Sequence, residues 1–219
     1  MKIGLIAAIM SVGPTPNNTV LKTILTPEIV AAGLGLINVV LLVRRSIWNY
    51  AFGAASVALY GYVFYTARLY SDAILQIYFF SMQFYGWWNW LHGRNQDGLA
   101  RIETMTNRER LLFGAGTLAV AAMMGWAFQT YTHAAAPWMD ASLAATSVTA
   151  QYLLSVRKLE NWFLWIAVDV FYIGLYYWKT LFWTTGLYAV FLLLSVAGLL
   201  EWLREFRTHG TRHAVEEFA

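Results

Sequence analysis

Trp162, Trp165, Asp169, Tyr172 and Tyr176 fall at i, i+3, i+7, i+10 and i+14 within the run Glu160–Trp178, ENWFLWIAVDVFYIGLYYW. On a 3.6-residue helix that spacing is one face. The run is apolar and long enough to cross a bilayer, with its carboxylate at the midpoint. A charge at the bilayer centre costs about 2.5–3.5 kcal/mol on insertion scales, so such groups face a cavity or a partner. Indole and phenol rings beside a carboxylate suit a flat organic cation, held by stacking and cation–π attraction. A purely structural role would instead have Asp169 lock two helices together. No lysine or arginine falls at its depth in the sequence, so a bound cation or a proton is expected to neutralise it.

A second polar face precedes Leu91. Asp72, Gln76, Gln83, Trp87 and Trp90 lie at i, i+4, i+11, i+15 and i+18, again one side of a helix. A glutamine amide carries donors and an acceptor on one group, which matches a carboxamide or an aminopyrimidine edge. Glutamines in membrane helices also hold helices together, and Asp72 lies near the end of its run, where water reaches it. Asn38, Ser56, Ser142, Thr146, Thr149, Gln151 and Ser195 dot other apolar runs. Most suit close packing, and Gln151 is the ligand candidate among them. Tyr188 and the pair Thr184-Thr185 fit an outer vestibule or, equally, an aromatic belt and a cap.

The elements that position these faces are membrane helices. The 219 residues are 59% hydrophobic and 12% charged, half the roughly 25% charge of a soluble domain. The length holds seven spans of about 20 residues and no separate soluble domain. The expected spans are about Thr26–Val43, Ile47–Ala67, Leu69–Leu91, Arg108–Phe128, Met139–Val156, the opening run, and Phe182–Leu203. Thr26-Pro27-Glu28 reads as a helix start, with a cap, a first-position proline and an acid at the positive dipole end. The segment MKIGLIAAIMSVG is expected to be retained without spanning, and Arg204–Ala219 to form a polar tail. Lys2, Lys22, Arg68 and Lys179 collect at one end. Arg44, Arg45, Arg94, Arg101, Arg108, Arg110, Arg157, Lys158, Arg204, Arg207 and Arg212 collect at the other. Four against eleven puts the second end in the cytoplasm, with the N-terminus outside and the C-terminus inside.

Spans 1–3 laid on spans 5–7 suggest a repeat. Trp48 to Tyr62 and Trp162 to Tyr176 are both fourteen apart, an offset of 114; Gly86-x-x-x-Trp90-Leu91 matches Gly198-x-x-x-Trp202-Leu203 at 112. Three helices invert the second copy and span 4 restores its orientation, as in transporters of parallel three-helix repeats with a midplane site. The expected domain plan is a bundle at 26–91, a linker helix at 108–128, a second bundle at 139–203 and a cytoplasmic tail at 204–219. Zero cysteines exclude disulfides and thiolate chemistry. His92, His133, His209 and His213 fall in loops or the tail, so no zinc pair sits on a helix face. No phosphate loop or Gly-x-Ser-x-Gly occurs. Lys179 precedes the seventh span, against a retinal Schiff base. No cofactor, metal or nucleic acid is expected, and the chain is not expected to be an enzyme.

The motifs Asn49-Tyr50-x-Phe52-Gly53, Leu59-Tyr60-Gly61, Leu69-Tyr70, Leu75-Gln76, Phe79-Phe80, Tyr85-Gly86-Trp87-x-x-Trp90 and Glu160-Asn161-Trp162-x-x-Trp165 resemble the PnuC family of nicotinamide riboside transporters. The resemblance runs from about Glu28 to Trp202. It implies an all-α, SWEET-like 3+1+3 arrangement, a homotrimer, and facilitated diffusion across the bacterial inner membrane, with the substrate trapped by cytoplasmic phosphorylation for NAD biosynthesis. With Tyr60 added from its motif, the expected substrate-binding set is Tyr60, Gln76, Gln83, Trp87, Gln151, Trp162, Trp165 and Asp169. Three positions depart from the family: riboside transporters typically carry an asparagine at position 169, some carry another amide near position 197, where this chain has Ala197, and Gln83 stands where asparagine is common. Similar PnuT and PnuX members carry thiamine or riboflavin. Thiamine, a cationic aromatic, is the alternative cargo; neutral riboflavin suits a carboxylate less.

Overall fold

The computed structural model describes residues 18–66, 70–93, 101–131, 136–178 and 182–216. Among them the chain forms seven α-helices: α1 Asn18–Val43, α2 Asn49–Thr66, α3 Tyr70–His92, α4 Asn107–Tyr131, α5 Pro137–Ser155, α6 Asn161–Trp178 and α7 Phe182–Glu216. Lys2, Arg68, Arg94, His133 and Lys179, which entered the topology and chemistry readings, lie outside the described residues, as does most of the N-terminal segment. α1 packs on α2 and α2 on α3, and α5 packs on α6 and α6 on α7; α1 meets α7, α3 meets α5, and α4 lies against α5. α4 and Thr185–Thr208 are long and apolar enough to cross a membrane, and α4 leaves almost all of its surface open. Leu111, Leu118, Met123 and Trp126 point outward there.

Two boundaries differ from the sequence reading. α1 begins at Asn18 rather than Thr26, with Pro27 inside it. Proline removes one hydrogen bond, whereas ending a helix in an apolar medium strands several backbone groups, so a membrane helix continues through it. α7 likewise runs past Leu203 into the polar tail. An ion pair of 2.9 Å between Arg45 and Glu205 anchors that extension.

The α1–α2 and α5–α6 junctions share one construction. Arg45 (φ 54°) and Arg157 (φ 61°) both stand in the left-handed region. Arg45 N donates to Leu42 O at 2.9 Å and Ser46 N to Leu41 O at 2.9 Å; Arg157 N donates to Leu154 O at 3.0 Å and Lys158 N to Leu153 O at 2.8 Å. These are Schellman bond pairs, with arginine where glycine is usual. The left-handed turn costs a non-glycine residue about 1–2 kcal/mol, and each guanidinium has a partner here. Arg157 Nη1 reaches the carbonyl and side-chain oxygens of Asn89 at 2.5 and 2.6 Å. The next turn matches too: Asn49 Nδ2 donates to Ser46 O and Asn161 Nδ2 to Lys158 O, both at 2.7 Å.

Aromatic packing keeps the same register. Tyr50 lies where a Cβ on Gly86 would be, and Trp162 where a Cβ on Gly198 would be. Tyr50 meets Trp90 edge-on at 5.2 Å and 89°, and Trp162 meets Trp202 at 5.5 Å and 90°. Tyr60–Phe64 and Tyr172–Tyr176 both stack, at 5.8 and 5.4 Å. Each pair of correspondences is separated by 112 residues. The 114 offset, which matched Trp48 with Trp162, is therefore corrected: Trp48 is 64% exposed and Trp162 1%. Tyr50 is the counterpart of Trp162.

Candidate substrate site

Six helices converge on one pocket, and α4 is not among them. Asn38, Val39 and Leu42 come from α1, Asn49 from α2, Gln83 from α3, Gln151 and Leu154 from α5, Trp162 and Trp165 from α6, and Ser195 from α7. The pocket and its open mouth together hold about 440 Å³ of space free of protein atoms. It sits between two apolar clusters. Leu42, Leu154 and Trp162 also belong to a cluster with Tyr50, Trp90, Ile102, Leu159 and Trp202 at the arginine-rich end. Trp165 belongs to the other cluster, with Leu143, Val168, Tyr172, Tyr176 and Tyr188.

The segment before α4 closes the arginine-rich end. Ile102 inserts into the first cluster. Glu103 N donates to Arg157 O at 3.1 Å, and Leu159 N to Glu103 O at 2.8 Å. The Glu160 carboxylate accepts from Met105 N at 3.0 Å and pairs with Arg110 at 2.9 Å. Lys158 pairs with Glu103 at 3.3 Å and Glu109 at 3.6 Å. Thr106 and Glu109 form a capping box that starts α4.

Three features of the pocket are chemically directional. Gln151 Nε2 and Trp162 Nε1 are buried donors without an acceptor among the described residues; burying an unsatisfied donor costs about 1–3 kcal/mol, so both suit acceptor oxygens on a ligand. Gly53 lets the amides of Gln83 and Asn38 close over α2, because a Cβ there would lie 2.5 Å from Gln83 Oε1 and 2.8 Å from Asn38 Nδ2. Asn38 Nδ2 also donates to Asn49 O at 2.6 Å, which fixes its orientation. Asp169 is fully buried and accepts from Ser195 Oγ at 2.9 Å. Ser195 lines the pocket, so the carboxylate acts from one layer behind the wall. Amides, indoles and a carboxylate-backed hydroxyl have the chemistry that suits a flat, polar, positively charged ring.

A sequence profile of the nicotinamide mononucleotide transporter family matches residues 26–204. The chain belongs to that family. It is 30% identical over 196 residues to the nicotinamide riboside transporter PnuC of Neisseria mucosa, covering 83% of this chain and 73% of that one. It is 29% identical over 187 residues to the riboflavin/roseoflavin transporter RibM of Streptomyces davaonensis, covering 82% and 85%. A crystal structure of the vitamin B3 transporter PnuC superposes with a TM-score of 0.69 at 26% identity, over 94% of this chain and 91% of that chain. The resemblance read from the tryptophan motifs is thus borne out, and the protein is a helical membrane transporter of this family.

Of the eight residues expected at the site, the pocket brings together Gln83, Gln151, Trp162 and Trp165. Asp169 stands behind Ser195. Trp87 packs against the arginine-rich-end cluster instead of the pocket. Tyr60 lies in a separate cluster with Ala31 and Phe64, and Gln76 lies beside Gly61 of the same region. All three shared a helix face or a motif with pocket residues, but the pocket spans only a short stretch of that face. Sequence reasoning passed over Asn38, Asn49 and Ser195 as lining groups. The 112 register was the available signal, since it sets Ser195 opposite Gln83 and Asn161 opposite Asn49.

Proposed function

We propose that this chain carries nicotinamide riboside into the bacterial cell across the inner membrane by facilitated diffusion, the cargo being trapped by cytoplasmic phosphorylation. The observation that carries this reading is the pocket itself: Trp162 and Trp165 with orphan donors on Gln151 and Trp162, and Asp169 behind Ser195. The indoles take the nicotinamide ring and the buried carboxylate offsets its positive charge. The donors take its carboxamide and ribose oxygens. The chain is then a transporter and not an enzyme. Relatives named for nicotinamide riboside support this choice of cargo over thiamine. The RibM relative is named for a neutral flavin, which makes no use of a carboxylate.

The same reading takes the chain as two three-helix bundles, α1–α3 and α5–α7, joined by α4. The constant offset of 112 in junctions, glycine seats and stacked rings supports it, as does a pocket drawn from both triplets. We further take the arginine-rich end as cytoplasmic, from the charge bias, with the N-terminus outside, and the assembly as a homotrimer, by the family resemblance.

Isothermal titration of the detergent-purified protein with nicotinamide riboside, thiamine and riboflavin tests the cargo. Nicotinamide riboside is expected to bind most tightly. Tighter binding of thiamine or riboflavin would reassign the cargo, and binding of none would remove the site's proposed role.

A further inference from the structure

We propose that Glu28, Tyr60 and Gln76 form a second site, apart from the pocket, that holds one small monovalent cation, a proton or a sodium ion. None of the three lines the pocket. Glu28 is 1% exposed, and among the described residues neither of its carboxylate oxygens has a hydrogen-bond partner. Gln76 is 4% exposed, and among the described residues its Oε1 is equally without a donor. Tyr60, also buried, clusters with Ala31, one turn after Glu28.

Packing brings the three helices to one place. Ala31, one turn after Glu28 on α1, clusters with Tyr60 and Phe64 of α2, and Ala73, one turn before Gln76 on α3, packs against that cluster. Gln76 Cβ would lie 3.5 Å from a Cβ on Gly61, the neighbour of Tyr60. Ser56 Oγ donates to Ala31 O at 2.7 Å, so the neighbouring hydroxyl is already committed.

The chemistry follows from what these groups lack. Three buried oxygens accept, and none has a hydrogen-bond donor among the described residues. A carboxylate in that setting is tolerated only when neutralised. One formal charge calls for a monovalent species.

Charged groups from the packed elements do not supply the answer. Among the described residues Glu28 makes no ion pair, and α2 presents only the neutral phenol of Tyr60. From α7, Tyr188 is a neutral phenol packed with Tyr172 and Tyr176. On α3, Asp72 is itself an acid and supplies no positive charge. Nor is the burial part of a shared scaffold: Asp140, 112 residues on, is exposed.

The test follows thermal unfolding of the full-length purified protein by tryptophan fluorescence, with pH and sodium varied separately and choline replacing sodium. Wild type is expected to lose stability as pH rises if the occupant is a proton, or to gain stability as sodium replaces choline if it is sodium. Glu28→Gln should abolish whichever dependence is seen, while Asp72→Asn leaves it in place. Should Glu28→Gln fail to fold, Gln76→Leu decides: loss of one acceptor should shift the midpoint about five-fold toward higher cation concentration. A wild type indifferent to both cations, a Glu28→Gln protein with the full dependence, or an unmoved midpoint in Gln76→Leu would overturn the site.

Discussion

Laid on each other at an offset of 112, the two triplets of helices agree where they fold and differ where they bind. Both end their first helix in a left-handed arginine, seat one aromatic ring on a glycine, and stack a pair of rings one turn apart. At the pocket the counterparts diverge. Gly53 answers Trp165, Val57 answers Asp169, Val39 answers Gln151, and Gln83 answers Ser195. The first triplet contributes amides and the close approach that a glycine permits. The second contributes indoles and, behind Ser195, a carboxylate. The matched positions thus share their packing, and the proposed affinity for a charged ring rests on the few that differ.

The strongest way to break this comparison is to unseat the matched rings. A Cβ on Gly86 would lie 2.4 Å from Tyr50 Cε1, and one on Gly198 2.4 Å from Trp162 Cη2. Both atoms belong to rigid rings, so Gly86→Ala and Gly198→Ala should each destabilise by about 1–3 kcal/mol. Gly174→Ala, with nothing within 4 Å, should be neutral or slightly stabilising, as helix propensity favours alanine. Melting of the purified variants measures this, and a large difference between Gly86 and Gly198 would break the equivalence.

The next effect sharpens the asymmetry. Asp169→Ala removes the charge behind Ser195 and should weaken nicotinamide riboside binding about 10- to 100-fold, in line with about 1.5–3 kcal/mol for hydrogen bonds to charged groups. Asp72→Ala should change binding far less, because Asp72 stands apart from the pocket lining whereas Asp169 is bonded to Ser195 within it. Equal losses in titration would mean that the cation enters elsewhere. A smaller loss is expected for Gln151→Leu, about five-fold, since one neutral hydrogen bond contributes about 1 kcal/mol. Trp48→Ala, at an exposed ring, should leave affinity unchanged even though Trp48 matches Trp162 in the sequence pattern.

Helix number and much of the site were readable beforehand because apolar runs and tryptophan spacing report span and face directly. Gln83, Gln151, Trp162 and Trp165 line one pocket. What escaped the sequence depended on depth and on long-range packing. Helical spacing shows that Gln76 and Gln83 share a side, but only packed helices reveal that two turns separate one polar cluster from the other. Glu28 read as a helix-end acid because Pro27 precedes it, and the continuing helix buries it instead. Ser195 looked like an inexpensive packing hydroxyl until its bond to Asp169 placed it between the charge and the pocket.

The most direct measurement is an experimental structure of the protein with nicotinamide riboside bound. The account predicts the nicotinamide ring against Trp162 and Trp165, its cationic side toward Ser195 and Asp169, and its oxygens on Gln151 and Trp162. A ligand seated against Tyr60 and Gln76 instead, or outside the space shared by the two triplets, would contradict it.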